Sequence, residues 1–463
     1  MNPSSKCALI IIALGLSLSG CEPRIETPRA TATPTPAGVT ATENAVPITL
    51  PVLDALFAGE AFKADLKSKL QLTDEQIAAL RRISSEAVTK LRTSNAEQQT
   101  GSAEAARQNA TDAIRGVIGP DKLEQLLALA RDHWNKGSEE LDGAAAKDAE
   151  PTMLPGPNAV PRDTRIIVNI PAFRMDVFAK GSLIKSYKIG IGYPEFPLPQ
   201  GLRKAQQIIF NPTWTPPDSP WVDSMNVTPG QVIEAGSKQN PLGPIKIPIG
   251  APSLIHGGKA LAKIGTFASH GCVGMTNAQI KDFAKVLAQA SQTELSEETM
   301  SAYLRKRTKT RVVKLSQLVP VELRYETIVI EDGRLHIYRD VYDQRTNTEE
   351  NLRAVFATHG AVFDNLGEEE KTQVLEALNS MSAHPKKQAK PIPTQAPQFD
   401  SARKAGEASD RKAEAERQKK LRSQKEIVIE IVGLAGKGYP GPVNLDSGAG
   451  TQVSAVTPPP NKP

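Results

Sequence analysis

The sequence predicts a multidomain chain: a mainly β domain, sandwich- or barrel-like, preceded by a small α-helical bundle and flanked by disordered tails. Three patterns lead there. Short runs that alternate apolar and polar residues fill the middle of the chain, between proline-studded breaks. A stretch ahead of them repeats apolar residues at helical spacing. The two ends are rich in Thr, Pro, Ala, Lys and Glu, a composition that cannot bury a core. At 463 residues the chain is also too long for one ordinary core. The formal net charge of +5 is spread over residues of both signs, which argues against a nucleic-acid partner.

Residues 1–20 read as an export signal. Lys6 precedes an apolar run over residues 8–18, too short to span a bilayer but the size of a signal-peptide core. It ends in Leu18-Ser19-Gly20-Cys21, which resembles the bacterial lipobox. The resemblance implies that Cys21 carries acyl chains, and several chains together anchor stably. In lipoproteins an aspartate after that cysteine usually means inner-membrane retention, so Glu22 favours the outer membrane. The expected location is the bacterial cell envelope, lipid-anchored and facing the periplasm.

Residues 21–47 form a Thr/Pro/Ala-rich tether. Residues 48–145 are the helical domain, with Leu70, Ile77, Leu80 and Ile83 on one face. Thr73 and Gln76 make a capping box, and Gly119-Pro120 ends one helix and starts the next. Three or four helices are expected. His133-Trp134 near the end of this stretch reads as core or surface.

Residues 146–163 are a proline-rich linker, and residues 164–345 the β domain. Ile166, Val168, Ile170, Met175 and Val177 alternate, Lys180-Gly181 turns a hairpin, and residues 183–191 return. Further strands are read at 206–210, 245–249 and 253–255. The prolines of residues 211–220 make a rigid wall carrying Trp214, with Trp221 just beyond it. Asn277 reads as an N-cap for a helix whose buried face is Ile280, Phe283, Ala284 and Leu287, and Ser296 caps another. Closing strands are expected at 311–315, 321–330 and 335–338, the last after a turn at Gly333. Residues 346–384 are an extension with one helix from Glu368, and 385–463 a mostly disordered tail. Within that tail, residues 426–434 are β-prone enough to pair with a sheet edge, and the chain from Gly436 reads as unstructured.

Of three cysteines, Cys7 lies in the export signal and Cys21 at its end, so Cys272 is the one thiol left free. A lone thiol in an exported chain has no disulfide partner: it is buried and inert, or it reacts. It sits in Ser269-His270-Gly271-Cys272, with a second pair, His256-Gly257, upstream. A thiolate nucleophile needs an imidazole to take its proton and amides to hold an oxyanion. Glycines bring backbone close to a substrate. Cys272 also lies just upstream of a helix start, whose amides favour negative charge. Spacing alone does not say which histidine is the base.

His256-Gly257 followed by Ser269-His270-Gly271-Cys272 resembles the signature of the YkuD-type L,D-transpeptidases, cysteine enzymes of bacterial cell-wall assembly. The likeness extends over residues 164–338, through Asn211-Pro212-Thr213-Trp214 and the Asn240-Pro241-Leu242-Gly243-Pro244 turn. It implies that Cys272 attacks a peptidoglycan stem peptide to give a thioester, that His256 is the base, and that the Gly257 carbonyl orients its ring. It further implies that Ser269, His270 and Gly271 shape the site, with the Gly271 and Cys272 amides facing the oxyanion. No metal or organic cofactor is required by that chemistry. The acceptor would be a second stem or the lysine of an envelope protein. The family commonly has Arg or Asn two residues after the cysteine, where this chain has Gly274. Arg203, Lys259 or Lys263 are the candidates to supply the missing charge. The alternatives are an L,D-carboxypeptidase or crosslink hydrolase with the same thioester, and a non-catalytic peptidoglycan-binding lipoprotein.

Overall fold

The computed structural model describes residues 46–93, 102–136, 151–219, 222, 225–382 and 424–448. The export signal, Cys21 and Trp221 lie outside them. Among the described residues no helix is long and apolar enough to cross a membrane.

Among the described residues the N-terminal region holds five helices: α1 (Leu50–Leu56), α2 (Glu60–Ser68), α3 (Asp74–Thr93), α4 (Ala103–Ile118) and α5 (Pro120–Lys136). The count exceeds the three or four expected, because Gly59 caps a short second helix straight after the first. The Thr73–Gln76 capping box forms as read: the Thr73 amide donates to Gln76 Oε1 at 3.1 Å, and the Gln76 amide to Thr73 Oγ1 at 3.2 Å. α4 ends against Gly119, whose φ of 79° suits glycine, and α5 begins at Pro120. Leu53, Phe62, Leu66, Leu80, Ile114 and Leu126 are fully buried in one core.

A curled eight-stranded sheet follows. Its strands are β1 (Arg165–Asn169), β2 (Arg174–Ala179), β3 (Ser182–Lys188), β5 (Gly201–Phe210), β6 (Ile245–Pro248), β7 (Leu254–His256), β9 (Val273–Gly274) and β10 (Arg311–Arg324). They lie in the order β3-β2-β1-β10-β5-β6-β7-β9. Two neighbouring pairs are parallel, β1 with β10 and β7 with β9; the others are antiparallel. A two-stranded ladder, β4 (Ile191–Gly192) with β8 (Phe267–Ser269), leads into the cysteine turn. Lys180 and Gly181 have φ of 49° and 81°, the positive pair that a tight hairpin needs. Helix α6 (Asn277–Ala290) lays Ile280, Phe283, Ala284 and Leu287 into the sheet's core, and α7 (Glu297–Arg305) follows from its Ser296 cap.

Four expectations need correction. The alternating run at 164–178 is two strands, because Pro171-Ala172-Phe173 turns the chain. The α6 cap is Thr276, which with Gln279 forms the reciprocal box; Asn277 is the first helical residue. Residues 311–324 are one strand, irregular between Lys314 and Val319, and the strands beyond it do not close the large sheet. Instead β11 (Ile328–Glu331) and β12 (Arg334–Tyr338) pair with β13 (Glu426–Glu430) in a separate sheet. Two helices back it, α8 (Glu349–Thr358) and α9 (Glu368–Met381), where one was expected.

The run at 426–434 thus finds its edge on β12. Beyond Gly436 the composition predicts no structure, yet the chain keeps defined contacts up to residue 448. Tyr439 is buried, the Ser186 amide donates to Val443 O at 2.9 Å, and the Lys188 amide to Asp446 O at 2.8 Å. The segment covers the open edge of β3, which supplies the partners that its Gly/Pro composition hid.

Candidate active site

The site forms where β7 and β9 run side by side. Their register sets Ile255 beside Val273 and His256 beside Gly274. Side chains alternate along a strand, so Cys272, two residues before Gly274, comes up on the side of the pair that His256 occupies. The ladder continues past the strands: the Met275 amide donates to His256 O at 2.9 Å, and the Lys259 amide to Met275 O at 3.1 Å.

His256 is buried. Its Nδ1 lies 2.7 Å from the carbonyl oxygen of Gly257. A carbonyl only accepts, so Nδ1 carries the proton and Nε2 keeps its lone pair. Burial, helped by the Lys259 ammonium, pushes the imidazole pKa down to about 3, against the carbonyls of Gly257 and Leu242. The ring is neutral at pH 7. The loop behind it leaves no room for side chains: a Cβ on Gly257 would sit 2.7 Å from Ile280 Cγ2. Asn277 Oδ1 accepts the Gly258 amide at 2.8 Å, so its side chain ties α6 to the His-Gly loop.

Cys272 is half-buried, and its thiol points at the Pro252 carbonyl, 3.9 Å away. Among the described residues no hydrogen bond joins it to an imidazole. Burial pushes the thiol pKa up, against the Leu254 amide and the Lys259 ammonium. The turn before it is laced tightly. The Cys272 amide donates to Ser269 Oγ at 3.0 Å, and that hydroxyl donates to Cys272 O at 2.5 Å. The Cys272 amide, expected to face an oxyanion, is therefore already engaged. The Gly271 amide has no acceptor among the described residues. Gly271 has φ of 92°, and Ser253 Oγ donates to its carbonyl at 2.9 Å.

Ser269, Gly271 and Cys272 share one turn, the β7–β9 register sets His256 and Gly257 alongside it, and His270 packs on an aromatic pair. Its ring packs edge-on against Phe196 at 4.5 Å and beside Tyr193 at 5.5 Å. The helix-terminus argument weakens, because β9 intervenes and Thr276 Oγ1 takes the Gln279 amide. Trp214 is a packing residue, buried with Val222, Ile233 and Leu242.

The three candidate cations separate clearly. Arg203 is buried and bonds the carbonyls of Gly250 and Trp134. Lys263 lies over the Tyr193 ring, 6.0 Å from its centroid. Lys259 lies across Gly274: a Cβ there would meet its Cγ at 2.9 Å and its Cε at 3.0 Å. The lysine stem fills the space that a side chain at 274 would take. Its pKa is lowered by burial, with Cys272 pulling the other way. Ser253 and Asn277 were missed as site residues; nothing in their spacing marks them.

Residues 163–313 match the family model of YkuD, the L,D-transpeptidase catalytic domain. The match stops short of residue 338, where β12 already belongs to the separate sheet. No curated protein matches the chain. Among solved structures, it is similar to the catalytic domain of the E. faecium L,D-transpeptidase, at 17% identity and TM-score 0.23, over 36% of this chain and 100% of that one. An L,D-transpeptidase from Mycobacterium smegmatis matches at 14% identity and TM-score 0.20, over 35% of this chain and 58% of that one. L,D-transpeptidase 3 from Mycobacterium tuberculosis, solved with a faropenem-derived adduct, matches at 16% identity and TM-score 0.21, over 35% of this chain and 60% of its own. For these last two, the matched part is less than two thirds of the relative's length. Residues 163–313, the cysteine turn and its histidine included, are thus the part of the chain that matches the model of the YkuD L,D-transpeptidase catalytic domain.

Proposed function

We propose that the protein is a cell-envelope L,D-transpeptidase that works through a thioester on Cys272. The observation that carries this reading is the tautomer of His256: the Gly257 carbonyl holds the proton on Nδ1 and leaves the lone pair on Nε2, and the β7–β9 register sets this residue on the cysteine's side of the strand pair. Nε2 takes the thiol proton as Sγ attacks the carbonyl carbon before the terminal D-alanine of a peptidoglycan tetrapeptide stem. The C–N bond to that alanine breaks, and the alanine amine leaves with the proton from the imidazolium. The amine of a second stem, or a lysine of an envelope protein, then attacks the thioester carbonyl; Nε2 takes the proton the amine sheds, the C–S bond breaks, and the leaving thiolate recovers that proton from the imidazolium. The thiol–imidazole bond absent at rest closes on substrate binding, as catalytic hydrogen bonds commonly do. Gly271 supplies the amide for the oxyanion, and Lys259 supplies the positive charge that Gly274 does not. Anchoring through Cys21, facing the periplasm from the outer membrane, would hold the enzyme near the wall.

The experiment is incubation of the purified protein with disaccharide-tetrapeptide and with a carbapenem, read by mass spectrometry. A crosslinked dimer and an acyl adduct mapped to Cys272 are expected. Tripeptide without dimer would make the enzyme a carboxypeptidase, and a folded protein with neither product nor adduct would end the reading.

A further inference from the structure

The cysteine turn is braced from behind by the helical region. Trp134, in the last turn of α5, is fully buried although it lies outside the family match. Its indole N–H donates to Pro197 O at 3.1 Å. Its benzo edge lies against Gly271: a Cβ there would be 3.2 Å from both Cζ2 and Cη2. Glycine is thus demanded at 271 twice, by its φ of 92° and by the tryptophan behind it.

Neighbouring contacts grip the same loop. The Trp134 carbonyl accepts from Arg203, and Asn135 Oδ1 takes the Gln200 amide at 3.0 Å. Thr49, which caps α1, donates its hydroxyl to Glu195 O at 2.5 Å. The gripped loop passes the constraint on: the Tyr193 amide holds Ser269 O at 2.9 Å, and Phe196 packs on His270.

We propose that Trp134 is a positioning residue for the cysteine turn, so that the helical region is part of the catalytic unit rather than a separate module. It acts through Gly271, whose amide must meet the oxyanion at hydrogen-bond distance. The catalytic consequence rests on the transpeptidase reading above; the mechanical one does not.

The test uses the full chain with Trp134→Ala and, should that variant fail to fold, Trp134→Phe, which keeps a ring but loses the N–H and the benzo edge. Hydrogen exchange of the peptide spanning residues 267–275 should rise about tenfold, with β1–β3 peptides unchanged. Carbapenem acylation of Cys272 should slow by about a hundredfold at saturation, with little change in the half-saturating concentration, as expected when a reacting group is misplaced by about an ångström. Trp134→Phe should fall between wild type and alanine in both. Unchanged exchange in the turn overturns the proposal, and so does raised exchange with acylation within about threefold of wild type. If the wild type itself is not acylated, the transpeptidase reading fails, and turn exchange alone decides the positioning.

Discussion

The sheet contains two parallel strand pairs, and both bury polar groups, but they treat charge in opposite ways. Between β1 and β10, Arg165 meets Glu322 at 2.5 Å and Asp163 at 2.9 Å, while Arg324 meets Glu322 at 2.8 Å and the Ala159 carbonyl at 2.9 Å. The two guanidiniums share one buried carboxylate. Between β7 and β9, the ammonium of Lys259, the imidazole of His256 and the thiol of Cys272 have no carboxylate partner among the described residues. A matched cluster keeps one protonation state and fixes register. An unmatched one leaves groups whose proton affinities can be exchanged, which is what a nucleophile and base require.

The largest effect should come from the unmatched pair. Cys272→Ala should abolish the carbapenem adduct, and His256→Ala should slow acylation by about 10²–10⁴-fold, both in folded protein by intact-mass kinetics. The matched pair should respond in stability instead. Glu322→Ala removes the carboxylate that two buried guanidiniums share, leaving Arg165 only Asp163 and Arg324 only the more distant Glu326, and should cost about 3 kcal/mol in urea unfolding, with acylation per folded molecule unchanged. Equal acylation loss in both variants would erase the contrast between the pairs.

Lys259→Met should raise the thiol pKa and let that of His256 climb, slowing acylation about tenfold, with Lys259→Arg largely restoring it. A thiol titration followed by thiolate absorbance separates this from a packing defect. The smallest effect is in pH. With the imidazole neutral down to about 3 and the thiol protonated at neutrality, the reactive form keeps one total proton count, so acylation should stay flat between about pH 5 and 8. Unassisted thiol ionisation would instead rise about tenfold per pH unit. The same depressed pKa has a sign in stability. The unfolded histidine takes up a proton near its ordinary 6.5, the folded one only near about 3, so its contribution is lost as pH falls through that window. His256→Gln should flatten the acid limb of a thermal-melt series.

Local rules made much of this legible. The Thr73–Gln76 box, the Gly119-Pro120 break and the Lys180-Gly181 turn are short-range chemistry, readable from a few residues. The cysteine turn was visible for a different reason: two His-Gly pairs and one thiol are rare in composition. What escaped was decided by partners far along the chain. Nothing near residues 426–448 announces β12 or the edge of β3, and Gly436 onward looked unstructured because its hydrogen bonds lie on other strands. Asn277 looks like a cap, but the neighbouring Thr276 takes that place and leaves the Asn277 side-chain oxygen to accept from the Gly258 amide. Trp134 gave no signal because its partner, Gly271, lies far along the chain.

The stretch that seals β3 is synthesised long after β3 itself. Until Val443 and Asp446 arrive, β3 offers a row of bare donors and acceptors at one end of the sheet, and β12 waits likewise for Glu426–Glu430. A nascent or proteolysed chain ending before residue 424 would hold two strands open to whatever extended peptide is nearest, including another copy of itself. Loss of this short segment should therefore appear first as self-association.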